Sequence, residues 1–89
     1  MVTPRQNLVG PAVRALRVNA GLSQEAFAGK LQLAGWDISC GGLAKIETRL
    51  RRVNDAELCV LARVIGCEIK DLIPKDAKTL IEVLRHGRD

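Results

Sequence analysis

The sequence predicts an all-α fold, and three observations support this. Apolar residues make up 47% of the 89 residues, yet the chain has one Phe, one Trp and no Tyr. The core must therefore be built from Leu, Ile, Val and Ala, which suits packed helices better than strands. Apolar residues also recur at helical spacing, and Ser, Asn and Gly stand where helices would begin and end. A chain of this length is expected to form one small domain of modest stability.

Two helices, each followed by a glycine, are predicted near the N-terminus. The first covers residues 11–20, with a proline in its first turn and Gly21 as a left-handed stop. The second covers residues 24–34, with Ser23 as its N-cap and Gly35 after its end. The residues expected to face the core are Val9, Val13, Leu16, Ala20, Phe27, Ala28 and Leu31.

Two further helices are predicted in the middle of the chain. One covers residues 40–48 and begins after Ser39, a second N-cap candidate. The next begins at Asn54, which forms a capping-box pattern with Glu57, and it ends at Gly66. Their expected core faces are Leu43, Ile46 and Leu50 in the third helix, and Leu58, Leu61, Ala62 and Ile65 in the fourth.

The C-terminal part is predicted to add a short helix and a longer one. The short helix, over residues 68–73, would place Ile69 and Leu72 on the core before Pro74 ends it. The last helix, over residues 76–86, carries an apolar stripe that either folds back on the domain or pairs with a second chain, and we favour a homodimer. The stripe consists of Ala77, Leu80, Ile81 and Leu84. The organisation expected is an N-terminal arm over 1–10, a body over 11–74 and a C-terminal helix over 75–89.

Composition argues against several classes of protein. The net charge of +4 suits an anionic partner but does not by itself identify one. The three cysteines show no C-x-x-C spacing and there is one histidine, so neither a disulfide framework nor a metal site is predicted. No Ser/His/Asp set or phosphate-cradling glycine loop is present, so we expect no enzyme and no cofactor. Without an apolar stretch long enough for a signal peptide or a membrane span, the expected location is the cytoplasm.

A series of residues falls in the order and register of a known protein family. The series is Leu16-Arg17, Gly21 to Glu25, Phe27-Ala28, Leu31, Ser39, Leu43 to Glu47, Leu58, Leu61-Ala62, Ile65-Gly66 and Leu72. In these residues the chain resembles the lambda-repressor-like helix-turn-helix transcription regulators of the Cro/cI (XRE) type, over about residues 11–74. The resemblance implies a five-helix domain that binds double-stranded DNA, with the second helix across the backbone and the third in the major groove.

The resemblance also implies roles for three residues of the first, second and third helices. Gln24, at the start of the second helix, would bind a phosphate, and the alternative is an exposed glutamine without a partner. Arg17 and Glu47 would form a partly buried ion pair that locks the first helix to the third. Glu47 would then be structural although it lies beside the DNA-binding face.

Four basic residues follow in or after the third helix. Lys45 is the candidate for a contact with a base edge, because lysine can reach guanine acceptors. Arg49, Arg51 and Arg52 are candidates for phosphate contacts that make binding depend on salt. The alternative is that this cluster is only a solvated face of the protein.

The first turn of the third helix departs from the family pattern. The resemblance places base-reading side chains after Ser39, where this chain has Cys40, Gly41 and Gly42. One hypothesis is that the bare backbone approaches DNA closely, and the other is that sequence specificity has been lost. Cys40 could act as a redox switch, although chance placement is the favoured explanation.

The segment between the second and third helices is longer than in the simplest family members. Trp36 and Ile38 are expected to pack beneath it, and the alternative is a surface tryptophan that awaits a partner.

From the resemblance and the basic residues together, we expect a DNA-binding repressor. The competing hypothesis is an antitoxin-like protein-interaction module that binds a protein partner through Trp36 and the C-terminal stripe.

Overall fold

The computed structural model describes residues 5–86, apart from the side chains at 77, 85 and 86, and these residues form five α-helices without a strand. The all-α prediction is therefore confirmed, and no helix in the described part is long and apolar enough to cross a membrane. The helices are α1 (Gly10–Asn19), α2 (Gln24–Leu33), α3 (Cys40–Glu47), α4 (Asp55–Ile65) and α5 (Ala77–His86), with a 3₁₀ turn (Ile69–Asp71) between the last two.

The core lies where the first four helices meet. Helices α3 and α4 each pack on both α1 and α2, and the 3₁₀ turn packs on α4. All the buried apolar residues were expected from the sequence: Val9, Val13, Phe27, Ala28, Leu31, Ile38, Leu43, Ile46, Leu61, Ala62 and Leu72. Trp36 is half-buried and packs against this core, as the prediction for the longer connection requires.

Side chains cap the N-termini of three helices as predicted. The Ser23 hydroxyl accepts from the amide of Ala26 at 3.0 Å, and the Ser39 hydroxyl accepts from the amide of Gly42 at 2.9 Å. At α4, the Asn54 side chain accepts from the Glu57 amide at 2.8 Å, while the Glu57 carboxylate accepts from the Asn54 amide at 3.1 Å. Each cap satisfies amides that lack an acceptor within their own helix.

Helix α3 ends in the left-handed conformation without a glycine. Arg49 has φ 65°, whereas the equivalent positions after α1 and α2 are glycines. The amide of Leu50 donates back to the Lys45 carbonyl at 2.8 Å and that of Arg49 to the Ile46 carbonyl at 3.0 Å, the pattern of a Schellman motif. The chain therefore turns away before Leu50, which is 50% exposed, and the prediction that Leu50 lies on the buried face was wrong.

The backbone conformation of Arg49 leads to a stability prediction. A side chain in the left-handed region costs about 1–2 kcal/mol, a penalty that glycine avoids. Because Arg49→Ala and Arg49→Gly both remove the guanidinium, the difference between them isolates the backbone term. We expect the glycine variant to be the more stable of the two by about 1 kcal/mol in urea unfolding. Equal stabilities would show that the backbone relaxes at this position.

Residues 6–10, which belong to the predicted N-terminal arm, are packed on the body. Asn7 is 5% exposed, and its side-chain amide donates to the carbonyls of Ile46 at 3.1 Å and Arg51 at 2.8 Å. Its side-chain oxygen accepts from the amide of Gly10 at 2.9 Å. Asn7 therefore ties α1 to the end of α3 and the segment that follows. Residues 1–4 of the predicted arm lie outside the described residues.

The C-terminal part differs from the prediction in two ways. Residues 68–73 contain a 3₁₀ turn instead of an α-helix, which leaves Ile69 40% exposed while Leu72 is buried as expected. In α5, Leu80, Ile81 and Leu84 are 37%, 52% and 71% exposed. The described part of the predicted apolar stripe therefore does not fold back on the domain.

Candidate nucleic-acid interface

Helix α3 has one face in the core and one face in solvent. Leu43, Ile46 and Glu47 are buried, whereas Gly41, Lys45 and Thr48 are exposed. The exposed three are spaced i, i+4 and i+7, so they lie on one side of the helix. The Thr48 hydroxyl donates to the Ala44 carbonyl at 2.9 Å and is therefore already engaged. Lys45 is the only long side chain on this exposed face.

A buried ion pair holds α3 in place. The Arg17 Nε donates to Glu47 Oε2 at 2.7 Å, and its Nη2 donates to Oε1 at 3.0 Å. The hydrogen bond that Arg17 donates to the Glu47 carboxylate raises the pKa of Arg17 above its ordinary value, since it stabilises the charged guanidinium. Arg17 Nη1 also donates to the Leu22 carbonyl at 2.7 Å. The ion pair expected from the resemblance is confirmed, and Arg17 joins α1 to the end of α3 and to the turn before α2.

Gln24 belongs to this same network. Its side-chain amide donates to Glu47 Oε1 at 3.1 Å, so the alternative of a glutamine without a partner was wrong. The side-chain donor would have to leave Glu47 to bind a phosphate. The first amides of α2 lack intrahelical acceptors, however, so its N-terminus keeps backbone donors that an anion can use.

The three arginines after α3 do not form one exposed cluster. Arg49 is half-buried, its Nε donates to the Asn7 carbonyl at 3.0 Å, and its Nη2 is buried without a hydrogen-bond partner among the described residues. Its position argues against the predicted phosphate contact, because the guanidinium points into the protein. Arg52 is exposed, as is Lys45.

Arg51 is engaged in a contact that links three segments of the chain. Its two terminal nitrogens donate to the Glu57 carboxylate at 3.2 and 3.0 Å, and its guanidinium carbon lies 5.7 Å from the centre of the Trp36 ring. The hydrogen bond from Arg51 lowers the pKa of Glu57. Arg51 thus joins the α2–α3 connection to the start of α4, and its side chain is 33% exposed. A phosphate would have to share the guanidinium with Glu57.

The two glycines at the start of α3 differ in what surrounds them. A Cβ atom on Gly42 would lie 3.1 Å from Cγ1 of Ile38, so packing beneath the helix favours glycine there. A Cβ on Gly41 would have only the Ser39 hydroxyl oxygen nearby, at 3.8 Å. No contact in the described structure requires glycine at position 41. Cys40, which precedes them, is half-buried.

Sequence reasoning missed two features of this surface. Thr48 shares the exposed face with Lys45, and counting three residues on from Lys45 would have found it. The internal partners of Arg49 and Arg51 lie 42 and 6 residues away, in Asn7 and Glu57. Asn7 carried no local signal that it would accept a contact from so distant a residue.

Comparisons of the chain with protein-family models, with curated proteins and with solved structures found no match.

Proposed function

We propose that this protein is a DNA-binding transcription regulator, a repressor with the lambda-repressor-like fold, whose helix α3 enters the major groove. The observation that carries the proposal is the exposed face of α3 formed by Gly41, Lys45 and Thr48, opposite a core face fixed by the Arg17–Glu47 pair. A helix fixed in this way can present one rigid edge to DNA without reordering on binding.

The same surface suggests how binding energy is divided between bases and backbone. Lys45 is the one long side chain on the exposed face of α3, so it supplies the base-edge contact. Arg52 and the N-terminal amides of α2 supply phosphate contacts, and Arg51 adds one where it can share its guanidinium with Glu57. With so few base contacts, affinity for DNA depends mostly on phosphate neutralisation and falls steeply with salt.

A salt series tests this proposal. Binding to the DNA just upstream of the protein's own gene is measured at several salt concentrations, with random DNA of equal length alongside. We expect Lys45→Ala to weaken binding to the specific site by about tenfold and to lower the ratio of the affinities for specific and random DNA. Lys70→Ala removes the same charge from an exposed residue of the 3₁₀ turn and serves as the matched control. Fluorescence anisotropy of labelled DNA gives both affinities.

Two outcomes would contradict the proposal. Binding that does not depend on salt would exclude phosphate contacts as its basis. Equal losses in Lys45→Ala and Lys70→Ala would show that α3 has no special role and that only net charge matters. Wild-type affinities that are the same for both DNAs would instead establish the loss of specificity that Cys40-Gly41-Gly42 suggests.

Dimerisation is part of the proposal, with α5 as the contact surface. Leu80, Ile81 and Leu84 are exposed on this helix, and a second copy would cover them. Three partly exposed side chains per chain stabilise a dimer by only about 5–10 kcal/mol before the cost of association, which is of similar size. We therefore expect a weak dimer that forms fully on DNA with two half-sites about one helical turn apart.

A protein-interaction module is the second candidate function. It is favoured by the exposed apolar face of α5, which Leu80, Ile81 and Leu84 share. A contiguous exposed apolar patch is common where a partner binds. Purification from the native host separates the two functions, since a second protein in fixed stoichiometry supports the module and a self-associating chain supports the regulator.

A further inference from the structure

A cavity of about 360 Å³ lies between the start of α1, the turn after α3, residues 71–74 and α5. Its apolar walls consist of Leu8, Pro11, Ala12, Leu72, Ile73 and Pro74. Leu72 belongs to the closed core, whereas the other five are exposed or half-buried. The volume and the largely apolar walls are those of small-molecule sites in proteins.

Arg49 brings a positive charge without a counter-charge to the wall of this cavity. Its Nε donates to the Asn7 carbonyl at 3.0 Å, which fixes the guanidinium in place. Neither terminal nitrogen has a partner among the described residues, and Nη2 is buried while Nη1 is not. Because leaving the donors of a partly buried charge without an acceptor costs free energy, this wall favours a ligand with a carboxylate.

A negative charge lines the same cavity from another segment. Asp71 Oδ2 accepts from the Glu68 amide at 3.0 Å, while its Oδ1 accepts from no described residue. Arg49 and Asp71 line one cavity without forming an ion pair with each other. Thr79, the remaining polar residue of the wall, donates its hydroxyl to Asp76 at 3.0 Å and carries no charge. A ligand that complements both charges has an anionic and a cationic group beside its apolar part.

We propose that this cavity binds an apolar α-amino acid, with its carboxylate at Arg49, its ammonium group at Asp71 and its side chain against the apolar walls. An amino acid of the size of leucine fits within the volume of about 360 Å³. Because Thr79 belongs to α5 and the other lining residues precede that helix, the ligand lies between α5 and the body of the domain. The proposal does not rest on DNA binding, since none of the lining residues lies on the exposed face of α3.

The location is tested on the full chain without DNA, with L-leucine as the probe. Amide shifts in ¹H–¹⁵N NMR spectra are followed while leucine is added at constant pH and ionic strength. We expect the largest changes at Ala12, Arg49 and Ile73. Changes confined to Leu80 and Ile81 would place the probe on the exposed face of α5 and overturn the proposal. A titration without any change up to about 10 mM leucine would overturn it as well.

Two analogues of leucine test the charges on the wild-type protein. The first, 4-methylpentanoate, lacks the ammonium group, and the second, 3-methylbutylamine, lacks the carboxylate. Each loses one charge-assisted contact, so each should bind about tenfold more weakly than leucine in the same titration. If 4-methylpentanoate binds as tightly as leucine, Asp71 does not hold the ammonium group. If 3-methylbutylamine does, Arg49 does not hold the carboxylate, and either result overturns the proposal.

Variants assign each charge to its residue. Asp71→Asn keeps an oxygen that can accept from the Glu68 amide, and it should weaken leucine binding by about tenfold without weakening that of 4-methylpentanoate. Glu68→Gln removes a charge from the same segment at a residue that does not line the cavity, and it should leave leucine binding unchanged. Equal losses in these two variants would overturn the proposal.

Arg49→Gln should weaken leucine binding by about tenfold without weakening that of 3-methylbutylamine. An unchanged affinity for leucine in this variant would overturn the proposal. Circular dichroism checks that each variant is folded. If Arg49→Gln does not fold, the comparison of leucine with 3-methylbutylamine on the wild-type protein still decides whether a carboxylate is bound.

Discussion

Glu47→Ala is expected to destabilise the protein by about 3–5 kcal/mol. Arg17 is 8% exposed, and the substitution removes the carboxylate that accepts from its Nε and Nη2 and leaves a buried charge with only the Leu22 carbonyl as partner. Gln24 loses its acceptor as well. In a domain whose total stability is about 5–10 kcal/mol, this loss is large enough to unfold a substantial fraction of the chain. Urea unfolding followed by circular dichroism measures it.

Two further variants separate the charge from the burial. Glu47→Gln keeps one oxygen that can accept from Arg17, so it should lower the free energy of unfolding by less than Glu47→Ala does. The double variant Arg17→Met with Glu47→Leu removes both charges and should recover much of the loss, because no buried charge is then left unpaired. A loss below about 1 kcal/mol for Glu47→Ala would mean that the pair behaves as an exposed ion pair.

Gly10→Ala is expected to destabilise the protein by about 3 kcal/mol. Gly10 is the first residue of α1, and a Cβ there would collide with the backbone carbonyl oxygen of Ile46. The same Cβ would lie 3.0 Å from both the Glu47 carbonyl oxygen and Cγ of Arg49. Because two of these three atoms belong to the backbone of α3, no side-chain rotation relieves the overlap. Thermal and urea unfolding should both show the loss.

Gly29→Ala is the matched control for this substitution. Gly29 lies within α2, and a Cβ there would meet no atom within 4 Å. The alanine should therefore stabilise the protein by about 0.5–1 kcal/mol through helix propensity. Opposite signs for the two glycine variants are the expected result. If Gly10→Ala is as stable as the wild type, α1 and α3 are not in the close contact that the structure describes.

The helices and the core could be predicted because their signals are local. Ser23, Ser39 and Asn54 each stand directly before an apolar periodic segment, and each caps a helix as expected. The prediction for Leu50 was wrong for a local reason too. The periodicity continues through it, but nothing in an arginine at position 49 indicates a left-handed turn, for which glycine is the usual signal.

The roles of the basic residues depend on contacts that the sequence does not display. The charge of Arg51 and its place after α3 predict a phosphate contact, while the structure gives it Glu57 and Trp36 as partners. The same signals predict a phosphate contact for Arg49, whereas in the structure its side chain donates to the carbonyl of Asn7 in the segment before α1. A run of positive charges predicts an anionic partner equally well whether its members are exposed or engaged internally. Only the three-dimensional arrangement separates Lys45 and Arg52, which are exposed, from Arg49 and Arg51, which are half-buried.

The stacking of Arg51 over Trp36 makes the protein its own optical reporter. Trp36 is the single tryptophan and the chain has no tyrosine, so ultraviolet emission above 300 nm comes from one ring. That ring lies beneath a guanidinium in the segment that follows α3. Any ligand that draws Arg51 from Glu57 changes the charge above the indole, and its emission should shift without an attached dye. Rapid-mixing experiments could then time events at the end of α3 in the unlabelled protein.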